Sequence, residues 1–202
     1  MSSGKSGSGR LNSRHRAAAV LCAAVLAISA GTPIAAGPQA TTSPEYVWKA
    51  NFLARSANFV DWLDDSPLQA ADAFRWCVFG NFSFGTTLAE LTRDIVKDGK
   101  KSEVKWIHKE ADLGGCQIIF VSRSEERNYA KALDAARAGR ALTVGETPSF
   151  LEAGGMMALL MEGTSPGFEV NLEAVQAARL RVSSRLLVLA RRAVNHSATG
   201  KG

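Results

Sequence analysis

The stretch GFEVNLEAVQAARLRVSSRLLVLARRAV, residues 167–194, decides the fold. Phe168, Val170 and Leu172 alternate with Glu169 and Asn171, the period of two that marks a half-buried strand. Asn171 stands where an N-cap belongs. Glu173 follows in the first turn, where a carboxylate suits the helix dipole. Leu172, Val175 and Ala178 then recur at helical spacing. Ser183 or Ser184 caps a second helix whose apolar side is Leu186, Leu187, Leu189, Ala190 and Val194, with Arg191 and Arg192 near its C-terminus. A strand and two helices of this kind form the closing piece of an α/β core.

Upstream, strands and helices alternate. Residues 156–162 and 168–172 are two strands joined by Gly163-Thr164-Ser165-Pro166-Gly167, the spacing of an antiparallel hairpin. CQIIFVS at 116–122 is a continuous β-branched run behind Gly114-Gly115, as a buried strand requires. Residues 73–80, 103–107 and 141–144 read as further strands. Helices are expected over 84–97 and from Ser124 or Glu125 to about Arg137, and a turn region over 148–155. Residues 45–63 read as one long helix with Trp48, Phe52, Phe59 and Leu63 along its apolar side and Asn51, Arg55 and Asn58 as a polar stripe; it ends at the Asp64-Asp65-Ser66-Pro67 turn cluster. The expected fold is one compact α/β domain with a central mixed sheet and helices on both faces.

The ends of the chain differ from this body. Residues 1–16 are Gly/Ser-rich and basic, residues 17–30 are an apolar run of secretory length, and small residues follow around Ala35 and Ala36. This is the pattern of a cleaved signal peptide over residues 1–36, with a membrane signal anchor as the rival reading. Residues 37–44 are expected to be a flexible lead-in, residues 45–194 the folded domain and residues 195–202 a disordered tail. The pI of about 9.3 loses its weight under cleavage. Four of the 24 basic residues (Lys5, Arg10, Arg14 and Arg16) leave with the signal, so 24 − 4 = 20 stand against 19 acidic ones. Nucleic-acid binding is therefore not expected.

Cleavage also removes Cys22 and leaves Cys77 and Cys116. In an oxidising compartment a lone pair usually becomes a disulfide, which at a separation of 39 residues (116 − 77) would stabilise the fold by about 4 kcal/mol. Two buried free thiols are the alternative, since sequence alone does not show that the β-carbons face each other. Catalysis finds little support. His108 is the one histidine inside the domain, no G-x-S-x-G elbow accompanies it, and two cysteines with one histidine make a poor zinc site. No G-x-G-x-x-G follows the strand ending at Gly80. No cofactor or metal is expected, and the default role is binding. The aromatics of the first helix are read as core, with packing on a partner as the second reading.

An ordered series of short motifs runs along the domain: YVWKANF at 46–52, NFVDW at 58–62, RWCVFG at 75–80, GCQIIFVS at 115–122, LTVG at 142–145, GGM at 154–156, FEVN at 168–171 and SSRLLVLA at 183–190. This series resembles the YfiR-like periplasmic repressor family. The resemblance implies a non-enzymatic periplasmic protein that binds the periplasmic part of an inner-membrane diguanylate cyclase or sensor and keeps it inactive. It also implies an outer-membrane lipoprotein that sequesters the repressor, a homodimer, and an output through cyclic di-GMP and biofilm. Cys77 and Cys116 match a cysteine pair of the family. A second, short-range pair known in some members has no counterpart near residues 151–158. Phe168-Glu169-Val170-Asn171 and Val175 match a region implicated in partner contact; Glu169 and Val175 are the candidate contacts, with Glu169 on the outward strand face and Phe168, Val170 and Val175 otherwise read as core. The alternative function is a periplasmic small-ligand binding protein serving a transporter or sensor kinase, with its cleft near residues 80–84 and 122–125.

Overall fold

A computed structural model describes residues 42–63, 70–81 and 83–194. The expected signal peptide, the first five residues of the lead-in, the 64–67 turn cluster and the tail at 195–202 lie outside the described residues. In chain order the elements are α1 (Pro44–Ser56), β1 (Val60–Trp62), β2 (Phe74–Phe79), α2 (Thr87–Thr92), β3 (Val96–Lys97), β4 (Lys100–Ile107), β5 (Ile118–Val121), α3 (Tyr129–Gly139), β6 (Leu142–Gly145), α4 (Pro148–Glu152), β7 (Met157–Glu162), β8 (Ser165–Asn171), α5 (Leu172–Ala177), β9 (Leu180–Val182), α6 (Ser184–Leu187) and β10 (Arg192–Val194). Tight 3-10 turns at Glu110–Leu113 and Arg123–Asn128 lead into β5 and α3.

Among the described residues, β10-β8-β7-β6-β5-β2-β4-β3 form one sheet, and β1 with β9 a separate two-stranded ribbon. β4, β2, β5, β6 and β7 run parallel. The chain enters at β2, crosses to β4 on one side, then returns to β5, β6 and β7 on the other. This is the doubly wound order, and it puts a reversal of winding between β2 and β5. The 157–171 hairpin adds β8 antiparallel to β7, with Met157 opposite Val170 and Glu162 opposite Ser165. The sheet is thus mixed and is covered by helices on both faces, as the element pattern implied.

The central parallel strands β2, β5 and β6 read as largely apolar runs because both their faces are buried, whereas β4, nearer the sheet edge, is polar and only half-buried. Trp76, Val78, Ile118, Phe120, Leu142 and Val144 point to one side, against Ala50 and Leu53 of α1. Cys77, Phe79, Ile119 and Val121 point to the other, against Tyr129, Ala132, Leu133 and Ala136 of α3. The Trp76 indole N–H donates to the Leu53 carbonyl at 3.1 Å, so the largest ring in the core leaves no unpaired donor.

Four expectations are corrected. The first helix stops at Ser56 instead of reaching Leu63. Ser56 turns its hydroxyl back to the Leu53 carbonyl, and Val60-Asp61-Trp62 leaves as a strand, with Val60 opposite Val182 and Trp62 opposite Leu180. The closing stretch holds three strands and two short helices where one strand and two helices were expected. Asn171 does cap α5, its side chain accepting the Ala174 N–H at 3.2 Å, and Ser183 caps α6. But α6 lasts only four residues. The Arg191 N–H then pairs with the Phe168 carbonyl, and Arg192, Ala193 and Val194 lie parallel to Glu169, Val170 and Asn171. Ladder hydrogen bonds to β8 outweigh the helical spacing of the leucines. The expected 84–97 helix likewise shrinks to Thr87–Thr92, because Val96-Lys97 pairs with Lys100-Lys101 across the Asp98-Gly99 turn. Residues 148–155, read as a turn, contain the short helix α4.

Candidate functional site

The face of α1 that meets the sheet carries Ala50, Leu53 and Ala54, small enough for close approach. Trp48 and Phe52 are turned aside and half-buried: they pack against the margin of the core, as expected in part, and leave their outer sides open. With Phe59, Phe168, Leu186 and Leu189 they line an open, mainly apolar groove of about 480 Å3, rimmed by Asn51 and Arg55. The Phe52 and Phe168 rings lie 4.7 Å apart, and Trp48 leans on Phe52 at 5.9 Å. Beyond α6 the chain leaves Val188 83% and Leu189 69% exposed, side by side. Covering two such aliphatic side chains is worth roughly 1.5–3 kcal/mol each. The arrangement can bury an apolar surface.

Behind this groove α1 is pinned by a charge cluster that the sequence did not announce. Lys49 is fully buried and its Nζ donates to Glu146, at the end of β6, and to Glu45 one turn earlier. The ammonium also lies 4.6 Å from the Tyr46 ring centroid. Glu146 further accepts the Arg123 backbone N–H at 2.7 Å, the Tyr46 hydroxyl at 3.0 Å and the Ser122 hydroxyl at 3.2 Å. The Arg123 guanidinium reaches Glu45 at 3.0 Å. Burial alone would push the Glu146 carboxyl up, but the Arg123 N–H, Lys49 and the Arg123 guanidinium together hold it below the usual carboxylate range. Burial, helped by the negative Glu146, pushes the Tyr46 phenol up. The spacing of Glu45 and Lys49 at i, i+4 is a readable signal; Glu146, 97 positions from Lys49, has none.

This cluster sits at the C-terminal ends of β5 and β6, next to the point where winding reverses, the region named for a small-ligand cleft. Side chains of the protein itself pack there. Ser124 accepts the Asn81 N–H at 3.0 Å, and a Cβ on Gly80, at φ +97°, would stand 2.6 Å from the Ser124 hydroxyl oxygen. Phe84 fills the adjoining space between Tyr46 and Phe120, at 5.4 and 4.9 Å.

The structure joins Cys77, on β2, to Cys116, just before β5, with their α-carbons 5.9 Å apart and both residues buried. The bond lies on the α3 side of the sheet, away from the α1 groove. Glu169 and Val175 are not brought together on one surface. Val175 is 3% exposed and packs in the core, so it has almost no surface to present. The Glu169 side chain is 14% exposed and takes both Arg192 donors on one oxygen, at 2.6 and 3.2 Å, which places Arg192 at the exposed sheet edge.

Among known proteins, residues 46–191 match a family model described as YfiR/HmsC-like. No curated protein matches the sequence. Two solved structures are similar in shape. One is a conserved domain protein from Vibrio cholerae, at 14% identity and a TM-score of 0.46 over 64% of this chain and 60% of that one. The other is the ABC domain from Streptococcus pneumonia in complex with L-Trp, at 8% identity and a TM-score of 0.48 over 74% and 60%. The chain thus spans 60% of the length of each of these structures. The family match runs from the first turn of α1 to the residue before β10, taking in the charge cluster apart from Glu45, the disulfide and the groove, and the chain belongs to the YfiR/HmsC-like family.

Proposed function

We propose that this protein is a periplasmic regulator that binds the periplasmic part of an inner-membrane signalling protein, a diguanylate cyclase, and holds it inactive. Family membership supports the class of activity. The observation that carries the binding mode is the groove between α1 and α6, with Val188 and Leu189 beside it facing water. Residues 1–36 serve as the export signal in this reading; no helix among the described residues is long and apolar enough to cross a membrane.

Repression follows from differential affinity. A regulator that binds the inactive arrangement of its target more tightly shifts the population toward it, and its removal by a competing outer-membrane lipoprotein or by self-association shifts the population back. The helix that forms one wall of the groove, α1, is anchored by Lys49 and Glu146 on one side and by Leu53 and Trp76 beneath. The test is cyclic di-GMP in a strain lacking the gene. The level rises on deletion and returns when the full chain is supplied, but not when the chain lacking residues 1–36 is supplied. An unchanged level on deletion removes the cyclase reading.

A further inference from the structure

We propose that a second cavity, between α3 and α5, binds a small organic carboxylate. Three non-glycine residues among those described have left-handed backbones: Asp98, Arg140 and Arg179, at φ +52°, +53° and +57°. Asp98 is explained locally, since it precedes Gly99 in the two-residue hairpin turn joining β3 to β4, where positive φ is required. Arg140 and Arg179 both follow helices. At Arg140 the chain closes α3, with the Ala141 N–H returning to the Ala136 carbonyl at 3.2 Å; at Arg179 the N–H returns to Gln176 at 2.9 Å. Glycine is the residue that fits such positions without cost.

Both arginines nevertheless keep their side chains, and both line the same cavity of about 370 Å3, together with Arg137 from the last turn of α3. A helix C-terminus favours a cation, which accounts for Arg137. It does not call for a side chain at the left-handed position itself. Glu173 shares the cavity wall and Asp134, just outside it, pairs with Arg137 at 2.6 Å, so three guanidinium groups stand against two carboxylates and leave an excess of one positive charge. Arg140, Glu173 and Arg179 already have partners within the protein, so a ligand joins an existing network rather than filling a gap. The remaining wall is largely apolar and includes Leu133, Ala136, Met156 and Ala178; the Thr143 hydroxyl there is engaged by the Met156 N–H at 3.1 Å.

A planar two-oxygen anion suits guanidinium forks, and the apolar wall suits a short hydrocarbon body. The volume lies at the small end of ligand sites, which limits the body to a few carbons. The cavity shares no residue with the α1 groove, so the inference stands independently of the regulatory reading.

The test is a titration of the full chain, labelled with nitrogen-15, with butyrate, succinate and inorganic phosphate at fixed ionic strength, chloride serving as the control. The expected result is saturable movement of the Arg140, Gly154 and Arg179 amides with butyrate or succinate and none with chloride. Arg140→Gly and Arg179→Gly remain folded, because glycine favours the same backbone, and melt at or above the parent temperature. Each weakens carboxylate binding at least tenfold. The proposal is overturned by shifts that stay linear, by saturation with phosphate alone, by saturable shifts confined to other parts of the chain, or by undiminished affinity in both glycine variants.

Discussion

Lys49 of α1 and Glu146 at the end of β6 form an ion pair from which water is excluded, both side chains being 0% exposed. Removing one partner leaves the other as a buried, unpaired charge. Lys49→Met is expected to lower unfolding free energy by about 3–5 kcal/mol, measured by urea denaturation. Glu146→Gln costs at least as much, because the carboxylate also receives Arg123, Tyr46 and Ser122. Equal stability of parent and Lys49→Met would show that the pair is open to solvent.

The same carboxylate sets an acid limit. Its folded pKa lies below the ordinary value of 4.5, so the folded state binds the proton more weakly than the unfolded one. Its contribution is present above the unfolded carboxylate pKa and is lost as pH falls through the folded value. Melting temperatures of the parent and Glu146→Gln are expected to differ most at neutral pH and to converge as pH drops below about 4. A gap that stays constant down to pH 2 contradicts this assignment.

The Cys77–Cys116 bond closes a loop between neighbouring parallel strands. Cys77→Ser is expected to lose about 4 kcal/mol in oxidising buffer. The parent in reductant should fall to the level of the variant, and repression should weaken in parallel. A variant that melts like the parent in oxidising buffer shows that the bond contributes nothing.

Groove variants should separate binding from stability. Leu189 is largely exposed, so Leu189→Ser is expected to stay within about 0.5 kcal/mol of the parent on denaturation. It is nevertheless expected to raise cyclic di-GMP in the complemented strain. A repressing Leu189→Ser together with a repressing Trp48→Ala places the partner elsewhere.

Glu169 and Val175 make a second comparison. Glu169→Ala breaks an exposed pair with Arg192 and is expected to cost under about 1 kcal/mol. Val175→Ala opens a small cavity in the core and is expected to cost roughly 1–3 kcal/mol. Lost repression in Val175→Ala should therefore be rescued by conditions that restore folding, such as lower temperature, whereas a Glu169→Ala defect should persist. Rescue of both, or of neither, removes the distinction.

The amino-acid sequence by itself determined the elements whose signals are local. CQIIFVS was legible as a buried strand, residues 156–172 as a hairpin and Asn171 as a helix cap, although the hairpin turns at Gly163-Thr164 alone and takes Ser165, Pro166 and Gly167, read as part of the connection, into β8. The mixed α/β class follows from those pieces, and the ordered motifs were enough to suggest the family. Only the tertiary structure decided where a segment's periodicity yields to a neighbour. The leucines of residues 186–190 are spaced for a helix, but main-chain pairing with Phe168 and Glu169 ends α6 after Leu187 and makes β10. The aromatics of α1 are spaced for a core, but Ala50, Leu53 and Ala54 pack more closely on the sheet and leave Trp48 and Phe52 to form the groove. Glu146 and Lys49 meet, and Arg140 and Arg179 come to line one cavity, across separations that no local pattern records. Hydrogen bonds and hydrophobic periodicity within a segment are short-range and can be read in order; pairing of backbones and burial of charge depend on which distant surface arrives opposite.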